Sequence, residues 1–519
     1  MLRSLLLLSI LVVPTLRAQG FTTRDSTIRR IWAVGTDSSQ VVPLAQVLSD
    51  SIGPRLTGTQ GLDAARAWVM QRYRSWGIPV RAEQYGTWRG WRRGTTTAEL
   101  IAPRHRQLDA TLLAWSPGTS SKPIEGSVIT LPSLPDSAAF AAWLPKARGR
   151  FVLMSTPEPS CRPDEDLKRD ATPEAFERFV KERRAYAEDW NSRSARAKLG
   201  PVGLVRALES AGAAGILQSA WSEGWGAHRI HMADTDRIPS LALSCEDYGL
   251  LARLAEHGQS PILRVNASAE ATGVVSVFNT VAEIRGTELP DEYVILSAHL
   301  DSWDGASGAT DNGTGTVMMM EAMRMLKAAY PHPRRTIIAG HWSGEEQRAL
   351  GSIAFAADHP EIIRGVQAVL NQDNGTGRIT RISMSGFTDA GAHFARWLSG
   401  VPTEISRFVT LLNPGLPGSG SDHQFFLCHG APAFSLHAEE WEYHTYTWHT
   451  NLDTFDKISP DDLRFNATLV AMLAYGASED RQRIARDIRV LPSDESGKER
   501  AWPTCPAPTR DYATPMVRR

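Results

Sequence analysis

Between residues 274 and 475 short apolar runs alternate along the chain with segments of helical periodicity. Residues 293–298, 336–342, 366–370 and 432–436 read as strands, and residues 316–330, 350–357, 390–398 and 460–475 as helices. Strands that are apolar from end to end are buried on both faces, and strands alternating with helices build parallel sheets covered on both sides. The pattern therefore predicts an α/β fold: a mainly parallel sheet flanked by helices.

The remainder has a different texture. Helical patterning runs through 28–48 and 62–76, joined by a turn-rich link at 53–58, and Gly77-Ile78-Pro79 stops the second helix. From about Thr96 to Leu263 come short β-rich pieces such as 112–115 and 151–154, a helix at 202–211, and strands at 215–217 and 238–243. A charged helix at about 173–194 interrupts them, with Phe176, Val180, Ala187 and Trp190 as its inward face. This divides the chain into a split α/β domain (19–95 and 271–490), a β-rich insert (96–270) and a C-terminal tail (491–519).

Residues 1–18 read as a signal peptide. Arg3 precedes an apolar run at 5–13, Pro14 ends it, and the small Ala18 precedes a cleavage point. The run is far shorter than the ~20 residues of a membrane span. A secreted or periplasmic protein with no membrane span in its mature form is expected. The 56 basic and 57 acidic residues nearly cancel, which argues against a nucleic-acid partner. Cys161, Cys245, Cys428 and Cys505 can pair in three ways, and none lies near the acidic and histidine residues described next.

Those residues follow the strands. His299 and Asp301 come after 293–298, Glu345 and Glu346 after 336–342, Asp373 after 366–370, and His444 and His449 after 432–436. Carboxyl ends of parallel strands are where open α/β sheets place their ligand sites. Asp311 lies before a helix, where an Asp often acts as a cap, but the glycine-rich stretch behind it (Gly305, Gly308) lets the chain return to the His299 edge. Asp301, two residues past His299, is placed to hold the second imidazole nitrogen. The adjacent pair Glu345-Glu346 requires a cation or a proton between its carboxylates. One as metal ligand and the other as general base meets that need, because a metal-acidified water can give its proton to a nearby carboxylate.

In these motifs, including Asp311-Asn312-Gly313-Thr314-Gly315 and His449-Thr450-Asn451-Leu452-Asp453-Thr454, the chain resembles the co-catalytic dizinc exopeptidase (zinc aminopeptidase) family over roughly 53–84 and 274–479. The resemblance implies the zinc exopeptidase fold with two Zn²⁺ per chain. His299, Asp311 and Asp373 would hold one ion, and Asp311, Glu346 and His449 the other. Glu345 would be the base and Asp301 would orient His299. It implies that the insert is a protease-associated domain, that short peptides are the substrate, and that the protein forms a homodimer. Dipeptides or short unblocked peptides are the expected substrates, with release of N-terminal residues as the alternative. A receptor-like binding protein on this fold would have lost ligands, and a cyclase-like relative would use a single zinc. The position before the last histidine holds Trp448, which leaves Tyr443 and Tyr446 as candidates to steady an oxyanion. His423, in Ser421-Asp422-His423, is either near the substrate or a packed loop residue, and His341 and His444 are expected to be structural or to lie outside the ligand set.

Overall fold

The computed structural model describes residues 23–512 except 121, 416–419, 488, 494–496 and 499, so the signal segment at 1–18 lies outside the described residues. Two capped helices begin it. The Asp25 carboxylate accepts from the amides of Thr27 and Ile28 and starts the helix Ser26–Asp37, whose Ile28, Ile31 and Val34 face the core. Thr59 caps Gln60–Ser75, which buries Leu62, Ala65, Val69 and Tyr73 on one face. The single helix expected over 28–48 is broken after Asp37. Ser38 turns both its amide and its hydroxyl back onto the Val34 carbonyl, and a new helix, Val41–Gln46, starts with Pro43 in its first turn, where no amide is needed.

The largest departure from the sequence reading is a pair of 23-residue strands, Val80–Ala102 and Ile262–Ile284. They run antiparallel from Val80 opposite Ala282 to Ala102 opposite Ile262, with four register shifts, two of them beside Gly86 and Gly90. β structure therefore starts at Val80, not near Thr96, and continues unbroken past residues 95–96 and 270–271. Glycines and arginines blur the alternation in the first strand (Gly86, Gly90, Gly94, Arg89, Arg92, Arg93), which hides it from a periodicity search.

Beside the second long strand lie Arg335–Trp342, Leu289–His299, Val366–Asn371 and Ala433–Ala438 in that order, the last four mutually parallel. Their core stretches are buried on both faces, as the apolar runs predicted. Helices Thr314–Ala329, Pro460–Glu479 and Ser26–Asp37 pack together over them around one continuous apolar core. Two short strands, Ile379–Ser383 and Thr410–Leu412, extend this edge and went unread. On the other side of the long strands the sheet continues through Ile124–Thr130, Phe151–Leu153, Gly215–Gln218, Ser240–Leu243 and Ala110–Leu112. A second core built on Trp88, Trp91, Trp115, Phe151 and Tyr248 lies there. The charged helix Pro173–Arg196 buries no residue fully; Phe176, Val180, Ala187 and Trp190 form its half-buried face.

Of the three possible pairings the structure forms Cys161–Cys245 and Cys428–Cys505. Two disulfides point to an oxidising compartment. No helix among the described residues is long and apolar enough to cross a membrane.

Candidate metal centre

Three parallel strand ends and two loops converge at one edge of the sheet. His299 closes its strand, with Thr316 of the following helix donating to its carbonyl (2.8 Å). Its Nε2 lies 3.0 Å from Asp373 Oδ1 and 3.3 Å from Asp311 Oδ1. His449 Nε2 lies 3.0 Å from Glu346 Oε2 and 3.3 Å from Asp311 Oδ2. Asp311 thus presents one oxygen to each histidine. Glu345 Oε2 stands 4.0 Å from His299 Nε2. All five residues read as ligands, and the residue read as base, are brought together. His299, Glu345 and Asp373 form one group able to hold a cation, and Asp311, Glu346 and His449 another.

Asp311 is not a helix cap. The helix Thr314–Ala329 has no side-chain cap at its first position, and the Gly315 amide donates instead to Asn312 Oδ1 at 3.0 Å. The Asp311 amide is held by Asp453 Oδ2 (3.0 Å) and that of Thr310 by Asp453 Oδ1 (2.8 Å). Burial, with Asp311 next to it, pushes the Asp453 carboxyl up to about 7. In the sequence Asp453 stands out only as part of the motif that follows His449.

Asp301 needs a correction. The group facing His299 Nδ1 is its backbone carbonyl, at 2.9 Å, while its carboxylate stands 3.7 Å away. The carboxylate instead accepts from the amides of Glu345 (3.2 Å) and Glu346 (3.3 Å) and from the Thr57 hydroxyl (3.2 Å). The chain turns after the strand ends, which brings the peptide oxygen, not the side chain, to the imidazole. Asp301 so fixes the histidine with its backbone and the glutamate loop with its side chain.

Arg55 was not singled out in the sequence. It is fully buried, and its guanidinium donates to the carbonyls of Leu300 (2.7 Å), Ser307 (2.6 Å), Gly308 (2.7 Å) and Gly53 (3.1 Å). It ties down both ends of the loop between His299 and Asp311. Burial lowers its pKa to about 10 against the pull of Asp453 and Asp301. The one sequence signal was an arginine set inside a Gly/Pro turn, where a long cation has little helical or strand work to do.

The electrostatics ask for positive charge. Burial pushes Glu345 well above the ordinary carboxylate range and Glu346 to about 7, with facing carboxylates adding to both. Burial alone would lower His299, but Asp373, then Asp301 and Asp311, hold it well above its usual value. His449 is raised in the same sense by Glu346, against its burial. Asp311 Oδ2 and Glu346 Oε1 are buried without a hydrogen-bond donor. Buried acceptors aimed at one space, among nitrogen and oxygen donors, fit cations of the Zn²⁺ kind.

The other candidates separate cleanly. His341 is a core residue, 2.7 Å from the Tyr73 hydroxyl, and burial drives it down to about 3. His444 lies in the turn Tyr443–Thr447 and belongs to neither ligand group. His423 is packed, its Nδ1 3.3 Å from Asn371 Nδ2, and burial lowers it to about 4. Tyr443 is buried, with burial and the charges of Asp311 and Asp373 raising its pKa. Its ring seats against Gly375, where a Cβ would come within 3.1 Å of Tyr443 Cδ2.

Fold, site and relatives define the class: a metallopeptidase, a hydrolase of peptide bonds. Residues 279–474 match the sequence profile of peptidase family M28. It is 26% identical over 448 residues to carboxypeptidase Q of Homo sapiens, covering 85% of both chains. Among solved structures it resembles a peptidase M28 precursor from Shewanella amazonensis SB2B, with a TM-score of 0.65, 22% identity, and 90% of this chain and 98% of that one covered. It also resembles a zinc aminopeptidase from Bacillus subtilis, with a TM-score of 0.54, 16% identity, and 87% and 97% coverage.

Proposed function

We propose that the chain is a dizinc exopeptidase that cleaves dipeptides or short unblocked peptides. The observation that carries this reading is Asp311, whose two carboxylate oxygens face two histidines, each also paired with a carboxylate of its own. His299, Asp373 and Asp311 would hold one zinc, and His449, Glu346 and Asp311 the other. Bound there, zinc supplies Lewis-acid polarisation of the scissile carbonyl and acidifies the attacking water. Glu345 takes a proton from that water as its oxygen bonds to the carbonyl carbon. It returns the proton to the amide nitrogen as the C–N bond breaks. Positive charge in the centre would offset the burial that raises the Glu345 pKa, leaving the carboxylate ready as a base. The Tyr443 hydroxyl, amid the same carboxylates, is our candidate donor to the developing oxyanion.

The choice of short peptides rests on the similarity to carboxypeptidase Q, supported by the packing of residues 221–230 against the His449 loop. We read residues 96–270 as a protease-associated domain that narrows the approach to the centre, and the protein as secreted or periplasmic. Aminopeptidase activity is the second reading, favoured by the zinc aminopeptidase with this fold. A series of unblocked, N-blocked and C-blocked peptides of two to ten residues tests these readings. Turnover is expected to fall sharply with length and to vanish when the recognised terminus is blocked. Loss on N-blocking alone would make it an aminopeptidase, and equal rates along the series would overturn the narrowed approach.

A further inference from the structure

Ten residues of the insert, 221–230, lie along the loop that carries His449. The Ile230 amide donates to the His449 carbonyl at 2.7 Å, and the Asn451 amide to the His228 carbonyl at 3.1 Å. Asn451 closes the contact with its side chain: Oδ1 accepts from the His228 amide (3.0 Å) and Nδ2 donates to the Gly226 carbonyl (3.1 Å). Arg229 pairs with Thr450 as an antiparallel bridge, donates to the His444 carbonyl (3.1 Å) and sets its guanidinium 4.7 Å over the Trp448 ring. The Ser222 hydroxyl donates to the Thr445 carbonyl at 2.6 Å. The catalytic loop is thus met by a strip of the insert from residue 444 to residue 451.

His449 itself has φ +62°, a left-handed backbone that carries a steric cost for any residue with a Cβ. Such a conformation persists only where its surroundings hold it, and the amide of Ile230 is one of the groups that does so. The Ile230 side chain reaches the other ligand loop as well. It is fully buried, and a Cβ on Gly305 would come within 2.2 Å of its Cγ1, so isoleucine and the 302–308 loop fit against each other with no space between. Arg93, from the first long strand, pairs with Asp304 of that same loop through Nε (2.8 Å) and Nη2 (2.7 Å). One insert residue therefore touches both the His449 backbone and the 302–308 loop that leads to Asp311.

We infer that the inserted segment is a working part of the metal centre, with Ile230 and Asn451 as positioning residues that hold His449 and Asp311 in register. This rests on the reading of His449 as a zinc ligand. Outer-shell groups that orient a ligand typically change metal affinity by about 10–100-fold when removed, and that is the size of effect the arrangement implies. It falls on the ion held by His449, Glu346 and Asp311 more than on the ion held by His299 and Asp373.

The test uses the full-length protein and the metal alone. Ile230→Ala keeps the amide donor and removes the side chain against Gly305; Asn451→Ala removes both side-chain bonds to the insert. Zinc affinities are read by competition with a chromophoric chelator, and zinc content by elemental analysis after dialysis. We expect one of the two ions to bind about 10–100-fold more weakly in each variant while the other stays tight. With dipeptide substrate kcat falls and KM changes little, and Asn451→Asp, which keeps the acceptor for the His228 amide, recovers part of the loss. Circular dichroism checks the fold, and if Ile230→Ala does not fold, Asn451→Ala set against wild type decides the matter. Folded variants that hold both ions as tightly as wild type would overturn the inference and leave the dizinc reading standing. Wild-type protein that binds fewer than two ions would overturn both.

Discussion

Glu345→Gln is expected to lower turnover by about 10²–10⁴-fold while both zinc ions stay bound, the size of a general-base contribution. Glutamine keeps the shape and loses the proton acceptor. The backbone around it does not depend on its charge, because the Glu345 amide is held by Asp301 Oδ1 and its carbonyl accepts from Arg348 and Ala349. Its neighbour behaves differently. Glu346 Oε2 stands 3.0 Å from His449 Nε2, inside one ligand group, so Glu346→Gln should weaken one zinc before it touches the chemical step. Steady-state kinetics on a dipeptide and elemental analysis of both variants read the difference. Metal lost from Glu345→Gln and retained by Glu346→Gln would reverse the two roles.

Asp311→Asn should have the widest consequences of any single substitution. The carboxylate gives an oxygen to each histidine side of the centre, and an amide has one oxygen and a nitrogen that only donates. Both ions should therefore bind more weakly, by more than the ~10–100-fold typical of outer-shell changes, and activity should be lost with them. The backbone should survive: Asp453 holds the amides of residues 310 and 311, and Arg55 anchors the loop from behind. Zinc titration beside a far-UV spectrum separates loss of metal from loss of fold. A variant that still carried both ions at wild-type affinity would remove Asp311 from the bridging position.

Much of this centre is legible in the sequence. Residues 293–298 and 336–342 are mostly apolar because they are buried on both faces, and the acidic and histidine residues that follow such runs stand out by contrast. That is why His299, Glu345, Glu346 and Asp373 could be picked by position, and Asp311 by the glycine-rich return before its helix. What remained hidden depends on the path of the chain through space. Arg55 meets the ligand loop across 245–253 residues of sequence, and its only local mark is its place in a Gly/Pro turn. Whether Asp301 offers His299 its carboxylate or its carbonyl turns on the bend after the strand, which spacing does not specify. The long strand Val80–Ala102 was missed because its glycines and arginines obscure the two-residue period. The disulfide partners lie 84 and 77 residues apart, so only proximity in the fold could choose among the pairings. Asn451 read as one letter in a motif, and its contacts with the insert exist only once the two segments lie side by side.

The account turns on two zinc ions in one centre, and counting them in active protein tests it most directly. Elemental analysis of purified enzyme, taken with its specific activity on a dipeptide, should find close to two zinc ions per chain. A chelator should abolish activity, and added zinc should restore it as the second ion returns. A fully active preparation that contains no metal would contradict the mechanism, and full activity with a single ion per chain would contradict the bridging role of Asp311.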